Sequence, residues 1–426
     1  MSSEGIAFPS KLATKISRTE LRSHKLRHIG KIFADRCGII LGLARTFSLM
    51  DTTVQNDIES RAACGVLTID LAALVANYEE LVRRAAPSRA AAVVKADAYG
   101  LGVAHVAPAL YNAGCRDFFV AHFIEALRLK PYLRSDARIL VLNGLLPGSE
   151  DDCAALGIVP VLNSLEQVAN WTATARALGK TLPAVIQVDT GMSRLGLEPQ
   201  EVDTLLAEPE RLDGVHVDII MSHLACGDEP EHDANPRQLG RMKAIRKRFG
   251  DAKLSFANSA GIFLGEDYRG DLARPGIALY GGAPLDGHDN PMHQVVRLDI
   301  RVVQTRTVPE GAEIGYGASF VAKTEMRLAT IVAGYADGLP RHLSNSGAAY
   351  FGGVRLPIVG RVSMDSIILD VTALEPGALK LGSMVELIGP HQSLEAIAAD
   401  AGTISYEILT SLGRRYDRRY LSPAAR

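Results

Sequence analysis

Short apolar runs alternate with helix-like stretches between about residues 90 and 280. Several runs, such as Ile139–Leu142, are apolar without interruption, which is typical of strands buried on both faces of a parallel sheet. About eight strands joined by helices predict an α/β fold, a (β/α)8 TIM-like barrel. The predicted strands are Ala91–Lys95, Asp117–Ala121, Arg138–Asn143, Ile158–Leu162, Ala184–Asp189, Val215–Ser222, Lys253–Ala257 and Leu272–Tyr280, with helices at Leu165–Leu178 and Gln238–Phe249 among the connections.

A doubly wound sheet is the main alternative to the barrel. That fold usually has a GxGxxG motif directly after its first strand, where the backbone approaches a pyrophosphate. No such motif follows Ala91–Lys95. The pattern therefore favours the barrel.

The pattern changes near residue 285, where short strands separated by turns replace the alternation. The strands predicted there are Val295–Thr305, Leu328–Ala333, Val354–Val359, Ser366–Val371 and Met384–Ile388, with a helical stretch at Leu394–Ala401. They favour a C-terminal mainly-β domain. An early strand at 66–69 is surplus to the barrel and could join this second domain. We expect an N-terminal extension at 1–49, a barrel at 50–285 and the β domain at 286–426.

Charge is distributed unevenly along the chain. The 426 residues include 46 Lys and Arg against 48 Asp and Glu, a net charge of −2 that argues against a general nucleic-acid-binding protein. Residues 1–49 include nine basic and three acidic residues, or +6, which leaves −8 for the remainder. No apolar run approaches the length of about 18 residues that a membrane span needs. We therefore predict neither a nucleic-acid nor a membrane partner.

The basic N-terminal segment has two interpretations. A secretory peptide needs an apolar core followed by small residues at a cleavage site. The best candidate core, Gly38–Ala44, is short, lies far from the N-terminus and is followed by Arg45. We therefore favour a poorly ordered tail, or a true start at Met50.

The cysteines are few and scattered, at Cys37, Cys64, Cys115, Cys153 and Cys226. No CxxC pair or Cys/His cluster has the usual spacing of a zinc site, so we predict no metal. An odd, sparse set of cysteines fits a reduced, cytoplasmic compartment better than an oxidising one.

Lys95 ends the first predicted barrel strand, in the string AVVKADAYGLG at 92–102. The carboxyl ends of barrel strands face the active site, and burial can lower the pKa of a lysine there, as a Schiff-base amine requires. A surface lysine at a strand end fits the spacing equally well. The string closely resembles the pyridoxal-phosphate (PLP) site of the alanine racemase family, fold-type III PLP enzymes. The resemblance implies that Lys95 binds the cofactor covalently and that Tyr99 contacts its phosphate.

Further strings resemble the family in the same order along the chain, namely VDTGMSRLG at 188–196, SHLA at 222–225, NSAG at 258–261, RPGI at 274–277 and SYEIL at 405–409. The resemblance implies that Arg194 contacts the phenolic oxygen of the cofactor and the substrate carboxylate, a pair of anionic oxygens that suits a guanidinium. It places His223 against the cofactor ring, although a lone histidine is more often a core residue. The cofactor-binding residues implied in this way are Lys95, Tyr99, Arg194, His223, Asn258, Ser259, Arg274, Gly276, Ile277 and Tyr406.

Arg274 has a specific role in the family, where it faces the pyridine nitrogen. Arginine is a donor that keeps its proton, so the resemblance implies that the ring nitrogen stays unprotonated. The ring is then a weaker electron sink, which limits side reactions such as transamination. Without its neighbours, Arg274 would be interpreted as an ion-pair partner at the barrel rim.

Racemisation removes the α-proton from one face of the substrate and returns a proton to the other, so two acid/base groups are expected. By resemblance, Lys95 acts on the D face, and Tyr316, in EIGYGASF at 313–320, acts on the L face. GYADG at 334–338 and GRVSMD at 360–365 also match, which implies substrate-binding roles for Tyr335 and Met364. In the family the partner subunit supplies these groups. The resemblance therefore implies a head-to-tail homodimer with composite active sites.

One position departs from the family pattern. Most known members have a carbamylated lysine two residues before the DTGM string, where this chain has Gln187. A glutamine has no amine to carbamylate, but its amide can accept a hydrogen bond from Arg194. We expect Gln187, with or without an anion such as chloride, to orient Arg194.

The function implied by the resemblance is PLP-dependent racemisation of L- and D-alanine, with D-alanine supplied to peptidoglycan. A serine or broad-specificity amino-acid racemase on the same scaffold is the nearest alternative. A decarboxylase of basic amino acids is disfavoured, because those relatives place an acid where this chain has Arg274. A non-catalytic PLP-binding homeostasis protein is a different class, and such relatives lack the β domain.

Overall fold

The computed structural model describes residues 57–422, so the predicted extension at 1–49 lies outside the described residues. The compact unit considered below starts at Ala63. Among the described residues, no helix is both long and apolar enough to cross a bilayer.

The unit begins with strand β1 (Gly65–Asp70) and helix α1 (Leu71–Ala85). Asp70 starts the helix, because its carboxylate accepts hydrogen bonds from the amides of Ala72 and Ala73 at 2.8 and 2.9 Å. One apolar face of α1, which includes Leu74, packs into the barrel core.

The barrel strands are β2 (Arg89–Ala90), β3 (Ala92–Val93), β4 (Asp117–Val120), β5 (Arg138–Val141), β6 (Val159–Leu162), β7 (Leu182–Gln187), β8 (Val215–Met221), β9 (Lys253–Ser255) and β10 (Leu272–Ala273). The helices between them are α2 (Val103–Asn112), α3 (Phe123–Leu129), α4 (Glu150–Ala155), α5 (Leu165–Leu178), α6 (Pro199–Ala207), α7 (Ala234–Arg246) and α8 (Glu266–Arg269). Single 3-10 turns lie at Lys130–Tyr132, Pro209–Leu212, Ala260–Ile262 and Ile277–Tyr280.

Strands β3 to β9 form a seven-stranded parallel sheet in chain order. β10 pairs in parallel with β2, which is separated from β3 by a single residue, and so returns to the first strand position. On its other side, the amides of Asp271 and Arg274 donate to the carbonyls of Leu254 and Ala257 at 2.7 and 2.8 Å. The predicted eight-position α/β barrel is confirmed. Strands β4 and β6 are buried along their whole length, as their apolar runs indicate.

The eighth predicted strand, Leu272–Tyr280, is wrong beyond Ala273. Pro275 has no amide hydrogen for a strand ladder, and the chain turns at Gly276 into the 3-10 turn Ile277–Tyr280. The four residues of this turn are apolar and almost completely buried, which explains why they look like a continuation of the strand.

The remaining elements form the predicted mainly-β domain. They are β11 (Val296–Val308), β12 (Glu313–Ile314), β13 (Phe320–Val321), β14 (Met326–Ile331), β15 (Ala348–Phe351), β16 (Val354–Pro357), β17 (Ile367–Asp370), β18 (Met384–Ile388), α9 (Leu394–Asp400), α10 (Ser405–Ser411) and β19 (Asp417–Leu421), with 3-10 turns at Tyr316–Ala318, Tyr335–Asp337 and Arg341–Leu343. β1 pairs with β11 and β19, so the early strand predicted at 66–69 joins the sheet of this domain.

The amino end of the barrel contains a group of ion pairs. The buried carboxylate of Asp117 pairs with Arg89 and accepts from Nε of Arg138 at 2.6 Å. Arg138 also pairs with Asp218, and Nζ of Lys253 lies 3.7 Å from the same carboxylate. Every charge that is buried at this end therefore has an opposite charge beside it.

Candidate active site

A cavity of about 520 Å³ lies at the carboxyl ends of the barrel strands. Its lining includes every residue that the sequence predicts to bind the cofactor, namely Lys95, Tyr99, Arg194, His223, Asn258, Ser259, Arg274, Gly276, Ile277 and Tyr406. The lining residues not predicted to bind the cofactor are Val93, Ala121, Leu142, Asn143, Gln187, Leu195 and Met221. Residues far apart in sequence meet here because parallel strands end on the same side of a barrel.

The backbone makes a left-handed turn directly after Lys95. The φ angles of Ala96, Asp97, Ala98 and Tyr99 are +53° to +55°. Each such residue costs about 1–2 kcal/mol when it has a Cβ atom. Four in a row are therefore a substantial local strain, of the kind that persists at functional sites when the surroundings enforce it.

Glu125 is one of the groups that enforce this turn. Its carboxylate accepts from the amide of Ala96 at 2.6 Å and from the amides of Ala121 and His122 at 2.7 and 3.0 Å. It thereby connects the residue after Lys95 to the end of the neighbouring strand. Sequence reasoning missed Glu125, although its place three residues into a helix start is a recognisable capping position.

The pKa of Lys95 is lowered from its ordinary value. Burial is the main cause and the charge of Arg194 adds to it, whereas Glu125 acts in the opposite direction. A lowered pKa increases the fraction of neutral amine, which is the form that attacks a carbonyl or accepts a proton.

Arg274 is buried and all of its described hydrogen bonds go to uncharged groups. Its guanidinium donates to Oγ of Ser255 at 2.6 Å and to the carbonyl of Ser222 at 2.7 Å, and one nitrogen lies 3.4 Å from Nδ1 of His223. Burial lowers the pKa of Arg274 to about 10, so it stays charged at neutral pH. A buried cation with neutral neighbours favours an electron-rich atom in the cavity.

His223 is neutral beside this arginine. Burial, followed by the charges of Arg274, Arg194 and Lys95, lowers the pKa of His223 to about 3. Since Arg274 can only donate, Nδ1 of His223 must accept, which places the imidazole proton on Nε2. The imidazole therefore presents a flat, uncharged ring within the cavity lining.

Arg194 lies on a short loop that follows β7, closed by a parallel bridge between Val188 and Leu197. The carboxylate of Asp189 accepts from the amides of Gly191, Met192 and Ser193 at 2.8, 2.9 and 3.0 Å, which fixes the turn before Arg194. On the other side, Nε2 of Gln187 donates to the carbonyl of Leu195 at 3.1 Å. Gln187 is therefore bonded to the residue next to Arg194. Within the described residues it acts on Arg194 through the backbone and not by a hydrogen bond to the guanidinium.

One wall of the cavity is formed by hydroxyl groups around Gly276. Oγ of Ser259 accepts from the amides of Gly276 and Ala278 at 2.9 and 3.3 Å, so its own proton can be donated into the cavity. A Cβ atom on Gly276 would lie 2.3 Å from the hydroxyl of Tyr99, so glycine is required at this point. The rings of Tyr99 and Tyr406 are 5.9 Å apart.

The β domain contributes Tyr406 to this wall through α10. Gly100, which ends the left-handed turn, packs so closely on the carbonyl of Leu409 that a Cβ atom would lie 2.7 Å from it. Burial, with the charges of Asp228 and Asp286, raises the pKa of Tyr406 to about 12. The phenol is therefore a hydrogen-bond donor at neutral pH.

The remaining predicted residues, Tyr316, Tyr335 and Met364, do not line this cavity in the described chain. They are 71%, 45% and 53% exposed. The amides of Tyr335 and Ala336 donate to the carbonyls of Ser363 and Met364 at 3.1 and 3.0 Å. Gly315, next to Tyr316, packs against Gly360 and Arg361. The three predicted segments of the β domain thus meet on one surface, away from the cavity of their own chain.

Sequence comparisons place the chain among known proteins. A sequence model described as "Alanine racemase, N-terminal domain" matches residues 69–284, and one described as "Alanine racemase, C-terminal domain" matches residues 295–420. The chain belongs to the alanine racemase family. It is 60% identical over 374 residues to the protein named "Alanine racemase, catabolic" of Agrobacterium fabrum, which covers 88% of this chain and 96% of that protein. It is 58% identical over 385 residues to the alanine racemase of Brucella canis, covering 87% and 97% of the two chains.

Solved structures of the family share the fold. The alanine racemase from Bartonella henselae, solved with covalently bound pyridoxal phosphate, superposes with a TM-score of 0.82 at 49% identity, over 84% of this chain and 99% of that one. The alanine racemase from Streptomyces coelicolor superposes with a TM-score of 0.80 at 32% identity, over 84% and 98%. The predicted family membership is confirmed.

Proposed function

We propose that the protein interconverts L- and D-alanine with pyridoxal phosphate as cofactor. The observation that supports this most directly is the grouping of Lys95, Arg194 and Arg274 around one cavity at the carboxyl ends of the barrel strands. A lysine with a lowered pKa beside two arginines suits an anionic aldehyde cofactor and a carboxylate substrate.

The residues of the cavity fit this cofactor. Tyr99, Ser259 and Tyr406 offer hydroxyl donors for a phosphate around Gly276, where the absence of a Cβ atom leaves room. Arg274 is a buried cation whose described partners are uncharged, which suits an acceptor such as a pyridine nitrogen. When bound, pyridoxal phosphate supplies an electron sink for the charge that develops at the substrate α-carbon. Lys95 holds the cofactor covalently, and Arg194 binds both the cofactor and the substrate carboxylate.

Two groups of the protein move the α-proton in our proposal. Nζ of Lys95 accepts or returns the proton on the D face, and the hydroxyl of Tyr316 does so on the L face. Tyr316 is 71% exposed and lies outside the cavity of its own chain. In our proposal a second chain supplies Tyr316, as in the expected head-to-tail homodimer, with Tyr335 and Met364 on the same contributed surface. Arg361, packed against Gly317, provides a cation next to Tyr316.

The direct test is a chiral assay of several L- and D-amino acids with purified protein and added pyridoxal phosphate. We expect alanine to be racemised in both directions and to be the preferred substrate. Similar activity on serine or basic amino acids would instead identify the protein as a broad-specificity racemase. Cofactor binding without turnover of any amino acid would contradict the proposed activity.

The metabolic use of the reaction needs a separate test. The names of the Agrobacterium and Rhizobium relatives include the word catabolic, which favours alanine breakdown over the predicted peptidoglycan supply. Deletion of the gene in its host distinguishes the two roles. Loss of growth on alanine as nitrogen source supports catabolism, whereas a requirement for D-alanine supports cell-wall supply. A cytoplasmic location stays a prediction.

A further inference from the structure

A second group of reactive side chains lies in the loop between β8 and α7, outside the lining of the catalytic cavity. It consists of Cys226, Glu229 and His232, which we call the loop triad. The thiol sulfur, a carboxylate oxygen and an imidazole nitrogen all lie within 4.8 Å of one another. Within residues 57–422, no other group of three such ligands is that close together.

The backbone of the loop brings these side chains together. The amide of Glu229 donates to the carbonyl of Cys226 at 3.1 Å, and the amide of His232 donates to the carbonyl of Glu229 at 3.0 Å. Bonds between residues three apart make consecutive turns in which positions i and i+3 lie above one another. The CxxExxH spacing of the loop triad is therefore matched to its backbone. The sequence patterns of common zinc sites, CxxC pairs and Cys/His clusters, do not include this spacing.

Asn235 continues the same series of turns and has an unsatisfied group. Its amide donates to the carbonyl of His232 at 3.0 Å, and its Nδ2 donates to the carbonyl of Glu229 at 2.9 Å. The side chain is fully buried, yet its Oδ1 has no hydrogen-bond partner among the described residues. Buried amide oxygens are nearly always paired, so an unpaired one beside the loop triad indicates a missing donor.

We propose that Cys226, Glu229 and His232 bind a divalent transition-metal ion, with Zn²⁺ as the preferred ion. Thiolate, imidazole and carboxylate are the ligand types of zinc, and a three-ligand site leaves the fourth position to water. The thiolate selects against Mg²⁺ and Ca²⁺, which prefer oxygen ligands alone. A metal-bound water supplies the donor that Oδ1 of Asn235 lacks.

The surroundings of the loop triad suit a cation. Asp228, Glu231 and Asp233 lie in the same loop and give it a negative potential. That potential extends to Asp286, whose pKa is raised by burial and by the charges of Asp228 and Glu229. Nδ1 of His232 accepts from the amide of Ala234 at 3.1 Å, which helps to hold the imidazole ring in place.

The site would fix the loop that follows His223. The carbonyl of His223 accepts from Nε2 of Gln238 at 2.9 Å, and the amide of Ala225 donates to Oε1 of Gln238 at 2.9 Å. A metal bound a few residues further along would hold the second half of the same loop. Its role is therefore structural for the loop, and its detection does not depend on racemase activity.

The test is metal binding by the pyridoxal-phosphate-loaded protein after treatment with a chelator. Titration with Zn²⁺ against a chromophoric chelator should give one equivalent per chain. Titration with Co²⁺ should give the absorption bands of tetrahedral cobalt in the red part of the visible spectrum. It should also give a charge-transfer band from thiolate to cobalt. Cys226→Ser should remove the charge-transfer band, and His232→Gln should weaken binding at least about tenfold.

Matched controls replace the same residue types elsewhere. Cys64→Ser and His288→Gln should bind Zn²⁺ as the unmodified protein does. Because the thiol must lose its proton, the affinity of the site should rise with pH. Glu229→Gln serves as a third ligand variant if Cys226→Ser does not fold, and it too should weaken binding at least about tenfold. The proposal is overturned if no saturable binding occurs, or if the ligand variants bind as tightly as the controls.

Discussion

The amino end and the carboxyl end of the barrel both bury charged side chains, but they satisfy them differently. At the amino end, Asp117 is 2% exposed and pairs with Arg89 and Arg138. At the carboxyl end, Arg274 is 3% exposed, yet its described hydrogen-bond partners are the uncharged Ser255, Ser222 and His223. At the amino end, side chains of the same protein balance the buried charge. At the carboxyl end, the buried charge is left for a ligand to balance.

The difference separates two uses of buried charge. A buried ion is costly unless an opposite charge or a set of hydrogen bonds replaces its water. The amino end meets this condition within the fold, so its charges affect stability. The carboxyl end gathers Lys95, Arg194 and Arg274 close enough to influence His223 together. Basic groups gathered around one cavity favour an anionic ligand there.

The largest expected effect comes from the lysine at the carboxyl end. Lys95→Ala should lower racemisation by at least about a thousandfold, since both the covalent attachment and one base are lost. Lys253→Ala, at the amino end, should leave the rate per folded chain unchanged. Intact mass after borohydride reduction should show cofactor attached to the control and absent from Lys95→Ala. Attached cofactor in Lys95→Ala would contradict the assignment.

The next prediction concerns the completion of the carboxyl end by a second chain. Lys95→Ala and Tyr316→Phe should each be nearly inactive alone. After subunit exchange, half of the dimers would contain one variant of each kind and one intact site, so the mixture should recover about a quarter of the activity of the unmodified enzyme. A mixture that stays inactive although mixed dimers have formed would show that both groups act within one chain.

At the amino end we expect a loss of stability without a loss of rate. Arg138→Met leaves the carboxylates of Asp117 and Asp218 with fewer partners and should lower the free energy of unfolding by about 3 kcal/mol. Arg176→Met, which breaks an exposed pair with Asp213, should cost less than about 1 kcal/mol. Denaturant unfolding and kcat/KM of the folded enzyme measure the two effects. A large change in kcat/KM for Arg138→Met would show that the amino end also affects catalysis, which contradicts the contrast between the two ends.

The imidazole of His223 at the carboxyl end predicts a pH dependence of stability. The pKa of His223 is about 3 in the folded protein, against about 6.5 in an unfolded chain. Between these values the unfolded state binds one proton more, so stability falls as pH falls, by up to about 1.4 kcal/mol per pH unit. His223→Gln, which can still accept from Arg274, should show a shallower slope in denaturant unfolding. His288→Gln should keep the original slope, and equal slopes for both variants would contradict the assignment.

Removal of the basic N-terminal extension is expected to have no effect on the enzyme. A chain that starts at Met50 should retain cofactor binding and racemisation, because both ends of the barrel and the β domain lie after that residue. Chiral assay and cofactor content of the shortened protein test this. Loss of cofactor binding or of racemisation in the shortened protein would show that the basic extension has a role in the enzyme, in addition to the two ends of the barrel.

Much of the fold was predictable because barrel strands are short and apolar on both faces. The helix Leu165–Leu178 begins and ends where the sequence predicts, since Ser164 caps it and Gly179 ends it in the left-handed region. The strand after Leu272 was mispredicted because buried residues of a 3-10 turn are as apolar as a strand. The left-handed turn after Lys95 could not be predicted, because two alanines and a tyrosine in it disfavour positive φ.

The candidate site divides in the same way. The sequence by itself determined the residue types at the strand ends, including Lys95, Arg194 and Arg274, and their order along the chain. Only the tertiary structure decided that Arg274 is a buried cation with neutral partners and that Glu125 holds the turn beside Lys95. It also decided that Tyr316 is exposed and does not line the cavity of its own chain. Local patterns specify which residues stand at a strand end, whereas burial and electrostatics depend on neighbours that lie tens of residues away in the chain.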